Sequence, residues 1–310
     1  MTFDEISTNE WQALDSAHHM APFTDYGDLR QKGARIITHA EGHYIYDSDG
    51  NRILDGMAGL WCVNVGYGRP ELVEAAATQM AKLPYYNNFF RTSNQPVAEL
   101  SAKLAEITPD GLSNVFYANS GSEANDTIIR MVRHYWALEG KPEKRVIISR
   151  EFGYHGSTIM SASLGGLKGM HDQAANEPGF AHIRPPYGFL HQGNQDEAEF
   201  AANAASWLED KIIEIGASNV AAFVAEPIQG AGGVIVPPAD YFKHIQEICR
   251  RHDILFVADE VITGFGRTGQ WFASQTMELE PDMMALAKGL TSGYVPMSAC
   301  LLYTSDAADE

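Results

Sequence analysis

Two charged residues that close apolar segments carry the most chemical information in the sequence. The run Ile254-Leu255-Phe256-Val257-Ala258 reads as a buried strand and ends on Asp259, and Leu286-Ala287-Lys288-Gly289 delivers a lysine from small, apolar surroundings. A buried strand has no reason to end on a carboxylate unless a cation lies beyond it, and a poorly solvated lysine amine is a competent nucleophile. Pyridoxal phosphate needs both groups. Its aldehyde condenses with a lysine amine to give a Schiff base, and a carboxylate keeps its ring nitrogen protonated. Lys288 and Asp259 are therefore the catalytic candidates.

The elements that must position them alternate along the chain. Arg35 to Asp55 reads as a hairpin, with Ile36, Ile37, Tyr44, Ile45 and Tyr46 alternating about the turn Asp47-Ser48-Asp49-Gly50-Asn51. Arg69 to Leu83 and Gln95 to Ile107 follow a helical period. Val115-Phe116-Tyr117, Val146-Ile147-Ile148, Val220 to Val224 and Ile254 to Ala258 are short apolar runs that fit strands buried on both faces of a parallel sheet. Amphipathic helices are expected at about Glu123 to Glu139, Glu199 to Ile215 and Tyr241 to His252. The alternation predicts an α/β fold with an open, mostly parallel sheet and a ligand beyond the carboxyl ends of its strands.

Each expected strand delivers something useful to that edge. After Val115-Phe116-Tyr117 comes Asn119-Ser120-Gly121-Ser122-Glu123, where Ser120, Gly121 and Ser122 either cradle a phosphate at a helix N-terminus or provide an ordinary N-cap. After Val146-Ile147-Ile148 comes Gly153-Tyr154-His155-Gly156, in which Tyr154 either stacks on a flat ring or is a plain turn aromatic. Glu226-Pro227-Ile228-Gln229-Gly230-Ala231 follows the third run and Asp259 the fourth. Four such coincidences are far less probable together than singly.

These segments, with Thr263-Gly264-Phe265-Gly266-Arg267-Thr268-Gly269 and Ala287-Lys288-Gly289, resemble in order the signature of class III pyridoxal-phosphate aminotransferases, over about Ala13 to Ala299. Met57 to Gly68 and His18 to Thr24 are similar to the ω-amino acid:pyruvate transaminases within that class. The resemblance implies a fold-type I large domain over residues 71–299 and an N-terminal part of the small domain over 1–70. It implies pyridoxal 5'-phosphate held by Ser120, Gly121, Ser122, Tyr154, His155, Glu226, Asp259, Val261 and Lys288. By the same resemblance Trp61, Phe23, Phe89 and Ala231 belong to the substrate side, with Phe89 reaching over from a partner subunit of a homodimer or dimer of dimers. The implied reaction passes an amino group from an amine such as β-alanine or putrescine to a 2-oxo acid.

Two departures refine that expectation. Ile262 stands where many class members have a glutamine that contacts the ring hydroxyl, so another donor must serve. Ala231 stands where members that use 2-oxoglutarate often have a glutamate paired with a carboxylate-binding arginine. That favours pyruvate as acceptor. Beyond Ala299 the family pattern gives way to Cys300 to Glu310, which back-translates to something like a sequencing adapter; residues 300–310 are expected to be a non-native tail. The resemblance also implies a last strand, a threonine and a small domain with the substrate-binding arginine beyond this point, so a non-catalytic fragment is the alternative functional reading.

Composition narrows the field further. The 22 Lys and Arg against 40 Asp and Glu give a net charge of −18, which would repel rather than bind a nucleic acid. The N-terminus lacks a basic-then-apolar leader, and no apolar run approaches the roughly 20 residues that span a bilayer, so a cytoplasmic protein with no membrane partner is expected. Cys62, Cys249 and Cys300 are too few and scattered for a disulfide framework or a zinc site. Gly264 to Gly269 satisfies the dinucleotide-binding glycine spacing, but it follows Asp259 rather than the strand directly and Gln270-Trp271-Phe272 opens no convincing helix. Asp47-Ser48-Asp49-Gly50 has its glycine at the wrong position for a calcium loop.

Overall fold

The computed structural model describes residues 6–173 and 176–303. The chain divides into two compact units, Met1–Tyr85 and Tyr86–Glu310. The first contains the helices Thr8–His18, Tyr26–Lys32 and Pro70–Lys82, and the antiparallel strands β1 (Ile37–Glu41), β2 (Tyr44–Asp47) and β3 (Arg52–Leu54). Helix Thr8–His18 begins at a reciprocal cap in which Ser7 and Glu10 satisfy each other's main-chain N–H. The expected hairpin is β2 and β3, whose turn is fixed by Asp47 Oδ1 accepting from the N–H of Asp49 and of Asn51 at 3.1 and 2.9 Å. Ile37 belongs to a further strand, so the segment is a three-stranded meander rather than one hairpin.

The second unit is built on a seven-stranded sheet of β4 (Asn114–Ala118), β5 (Val146–Arg150), β6 (Phe180–Ile183), β7 (Val220–Ala225), β8 (Leu255–Asp259), β9 (Met283–Leu286) and β10 (Ser298–Leu302). Its spatial order is β4-β10-β9-β8-β7-β5-β6, with β10 antiparallel to both neighbours and the other pairs parallel. Six strands therefore run in one direction. β7 is buried at every position because both faces are covered. Phe223 and Phe256 face the helices Glu197–Ile215 and Tyr241–Arg251, whereas Ala222, Val224 and Val257 face the helix Gly121–Leu138 through Ile128, Val132 and Trp136. Fully burying a side chain such as Phe223 contributes roughly 1.5–3 kcal/mol.

Three expectations change. Val115 to Tyr117 lies in β4, an edge strand rather than one buried on both faces, and Phe116 is 43% exposed there. The strands β6, β9 and β10 escape a reading by apolar runs: Met283–Leu286 is as short as a turn, and Ser298–Leu302 straddles the boundary after Ala299 where a non-native tail was expected to begin. Cys300 and Leu301 fill the core of that strand at 1% and 0% exposure, while Thr304 to Glu310 lie outside the described residues. The helices Thr8–His18 and Tyr26–Lys32 were not apparent either, and neither buries any residue.

Candidate active site

A cavity of about 460 Å³ opens at the carboxyl edge of the sheet in the second unit. Its wall is assembled from the segments that follow β4, β5, β7, β8 and β9, and from the loop that returns to β10 because that strand starts on this edge. Ser120, Gly121, Ser122, Tyr154, His155, Glu226, Asp259, Val261 and Lys288 all line it, together with Asn125, Ile262, Thr291, Val295, Pro296 and Met297. The sequence reading had no signal for the last four, which enter only through the β9–β10 connection. Phe89 and Ala231 do not line the cavity: Phe89 is 68% exposed beside Phe90, and Ala231 lies on an exposed turn. Trp61 and Phe23 belong to the first unit, where Phe23 is 81% exposed.

Asp259 is the last residue of β8 and only 3% exposed. Its Oδ2 accepts from His155 Nδ1 at 2.7 Å and from Asn125 Nδ2 at 2.9 Å, while Oδ1 accepts from the Val261 N–H at 3.1 Å. Two donors thus fix one oxygen and leave the other with a single main-chain partner. His155, read from the sequence as a cofactor residue, does more than line the cavity: it braces the carboxylate.

At the helix Gly121–Leu138 the N-cap reading of the serine segment holds. Ser120 is the N-cap, its Oγ accepting from the Glu123 N–H at 3.2 Å while Glu123 Oε2 accepts from the N–H of Ser120 at 3.1 Å. That leaves the first-turn N–H groups of Gly121 and Ser122 outside the cap, at the positive end of the helix dipole, where negative charge is favoured. Ser122 Oγ accepts from the Ser157 N–H at 3.0 Å, tying this turn to the segment that carries Tyr154 and His155. A Cβ on Gly121 would lie 3.3 Å from both methyls of Val261, so the helix start approaches Val261 closely only because residue 121 is glycine.

Glu226, directly after β7, accepts from the N–H of Tyr154 at 3.0 Å and of Gly230 at 2.9 Å. Burial pushes its carboxyl above the usual range, and the nearby Asp259 adds to the rise. Lys288 sits in the left-handed region at φ 44° in the turn Lys288–Leu290, immediately past β9. Glu260 follows Asp259 and was not among the expected site residues. It is fully buried, and its carboxylate takes the N–H of Ala273 and Ser274 and the hydroxyls of Thr263 and Ser274, anchoring the loop that starts with Val261 and Ile262.

The glycines Gly264, Gly266 and Gly269 lie in turns, with Phe265 N–H donating to Trp271 O, and do not line the cavity. The arrangement thus combines a lysine amine, a braced carboxylate and a helix N-terminus on one cavity wall. Such a wall suits a flat, phosphorylated ring that bears a carbonyl and a basic nitrogen.

The class-III aminotransferase family profile matches residues 28–306. The chain is 60% identical over 296 residues to putrescine–pyruvate aminotransferase of Pseudomonas aeruginosa, covering 95% of this chain and 65% of that protein. It is 43% identical to vanillin aminotransferase of Capsicum annuum, over 95% of this chain and 64% of that one. Among solved structures, an (S)-enantioselective omega-transaminase from Thermomicrobium roseum superposes with a TM-score of 0.94 at 41% identity, covering 98% of this chain and 68% of the other. The omega-transaminase of Pseudomonas jessenii in complex with PMP gives 0.93 at 44% identity, over 94% and 65%. The chain spans about two-thirds of the length of these relatives, and no helix among the described residues is long and apolar enough to cross a membrane. With its sheet order, its lysine and its braced aspartate accounted for, the chain belongs to the class-III aminotransferase family.

Proposed function

We propose that the cavity takes pyridoxal 5'-phosphate and that the protein transfers an amino group from an ω-amino acid or primary amine, putrescine and β-alanine among them, to pyruvate. The observation that carries this reading is the presence of Lys288, the braced Asp259 and the Gly121–Ser122 N–H groups on one cavity wall. The residues fit such a group: a buried carboxylate offers one lightly used oxygen to a ring N–H, and the helix start presents donors to an anion. When bound, the cofactor supplies a carbonyl for the amine and an electron sink for the carbon that loses its proton.

The chain's own residues do the rest. Lys288 Nζ acts first as nucleophile and then holds and returns a proton. Asp259 Oδ1 keeps the ring nitrogen protonated, a charge-assisted bond of about 1.5–3 kcal/mol. Gly121 and Ser122 orient the phosphate, and Tyr154 and Val261 bound the ring. Glu226 holds the Tyr154 and Gly230 segments in register. Pyruvate as acceptor is supported by Ala231, which offers no carboxylate to hold an arginine, and by the name of the 60% identical relative. Residues 1–70 and 71–299 as parts of a small and a large domain, and assembly as a homodimer or dimer of dimers with Phe89, Trp61 and Phe23 at the amine pocket, belong to the same proposal.

The test traps the cofactor on the protein. Borohydride reduction of the chain mixed with pyridoxal phosphate should add the cofactor's mass to the peptide carrying Lys288, and Lys288→Ala should lose both the adduct and the visible absorbance. An adduct on another lysine, or none, sinks the cofactor reading. Formation of alanine from pyruvate and putrescine tests the transfer separately.

A further inference from the structure

Asn125 is 1% exposed and places its single side-chain NH₂ on two acceptors, Asp259 Oδ2 at 2.9 Å and the main-chain oxygen of His155 at 2.7 Å. Turning the amide over would set its oxygen against a carboxylate and a carbonyl, so the orientation is fixed by chemistry. The cost is visible: Asn125 Oδ1 is buried with no partner. An unpaired buried acceptor is unfavourable, and a residue that keeps one is held there by what its other end does.

The placement explains what that is. Asn125 stands one helical turn beyond Gly121, on the helix whose first N–H groups form the anion-binding end of the cavity, yet it touches a carboxylate 134 residues further along the chain. We propose that Asn125 is a positioning residue that ties the phosphate end of the cavity to the ring-nitrogen end. It holds Asp259 Oδ2, with His155, so that Oδ1 faces the cavity, and it fixes the span between that oxygen and the Gly121–Ser122 cradle. The inference rests on the cofactor reading above.

The experiment compares two ligands on the whole chain: pyridoxal 5'-phosphate and its analogue with the ring nitrogen replaced by C–H, which keeps the aldehyde and the phosphate. The wild-type chain binds the nitrogen-containing ligand more tightly by tenfold or more, and Asn125→Ala brings the ratio of dissociation constants to within about threefold. Asn125→Ser, which retains a small polar group, serves where the alanine variant does not fold and shows the same narrowing. A purely structural asparagine would weaken both ligands by one factor; an unchanged ratio in the folded variants overturns the proposal. If the wild-type chain binds neither ligand, the cofactor reading itself fails. That result is separate from a wild-type preference that survives substitution.

Discussion

Replacing Glu260 by glutamine changes almost no volume, yet the structure predicts a clear loss of order beside the cavity. Each carboxylate oxygen receives one main-chain N–H and one hydroxyl: Ser274 N–H at 2.6 Å with Ser274 Oγ on Oε1, and Ala273 N–H at 3.1 Å with Thr263 Oγ1 on Oε2. A hydroxyl can rotate to accept from the new NH₂, but a main-chain N–H cannot. Whichever way the amide is turned, one N–H is left facing another. An orphaned buried donor costs about 1–3 kcal/mol, and a value near 2 corresponds to a roughly thirtyfold loss of protection against hydrogen exchange at Ala273 and Ser274. Burial pushes the Glu260 carboxyl above its ordinary value of 4.5 against the pull of these donors. A raised folded-state pKa contributes stability that is full below the ordinary value and lost as pH rises through the raised one. The deficit of Glu260→Gln therefore narrows as pH rises above the ordinary 4.5. Exchange followed by mass spectrometry on the segment 272–275 measures it. Protection equal to wild type at pH 5 would refute the reasoning.

Other expectations concern the cradle and the first unit. Ser122→Ala, which removes the oxygen bonded to the Ser157 N–H, should weaken pyridoxal phosphate binding about tenfold by fluorescence titration. Gly266→Ala should leave that affinity unchanged while costing about 1 kcal/mol in thermal stability, because its φ of 90° is strained for alanine, it does not line the cavity and an added Cβ would meet nothing within 4 Å. In the first unit, Tyr67 Oη donates to Asp55 Oδ2 at 2.7 Å, and this bond leads the causes that hold the Asp55 carboxyl below its ordinary 3.8. Tyr67→Phe should destabilise that unit by about 1 kcal/mol at pH 7. Since a depressed carboxyl contributes stability that is lost as pH falls through its folded value, the difference between Tyr67→Phe and wild type should close below about pH 3.8, as denaturation midpoints would show.

What the sequence determined by itself is the α/β fold class, the two charged candidates and five of the helices. Asp259 and Lys288 were legible because an ionisable group at the end of an apolar run contradicts its surroundings locally, with no need to know what lies across from it. Gln95 to Ile107 was read at the bounds observed, since a 3.6-residue period is a local signal, and the structure adds Asn94 as its cap. The tertiary structure alone decided the partners. Asn125 read as one residue of a helix start, and nothing near it in sequence indicates that it braces a carboxylate 134 residues away. Glu260 carried no signal of its own in the sequence, and its anchoring of Ala273 and Ser274 exists only once the intervening loop closes. Thr291 and Pro296 line the cavity because β10 enters the sheet antiparallel, which its residues do not specify. Local patterns state what a residue needs; which distant group meets that need is fixed by the order in which the strands assemble.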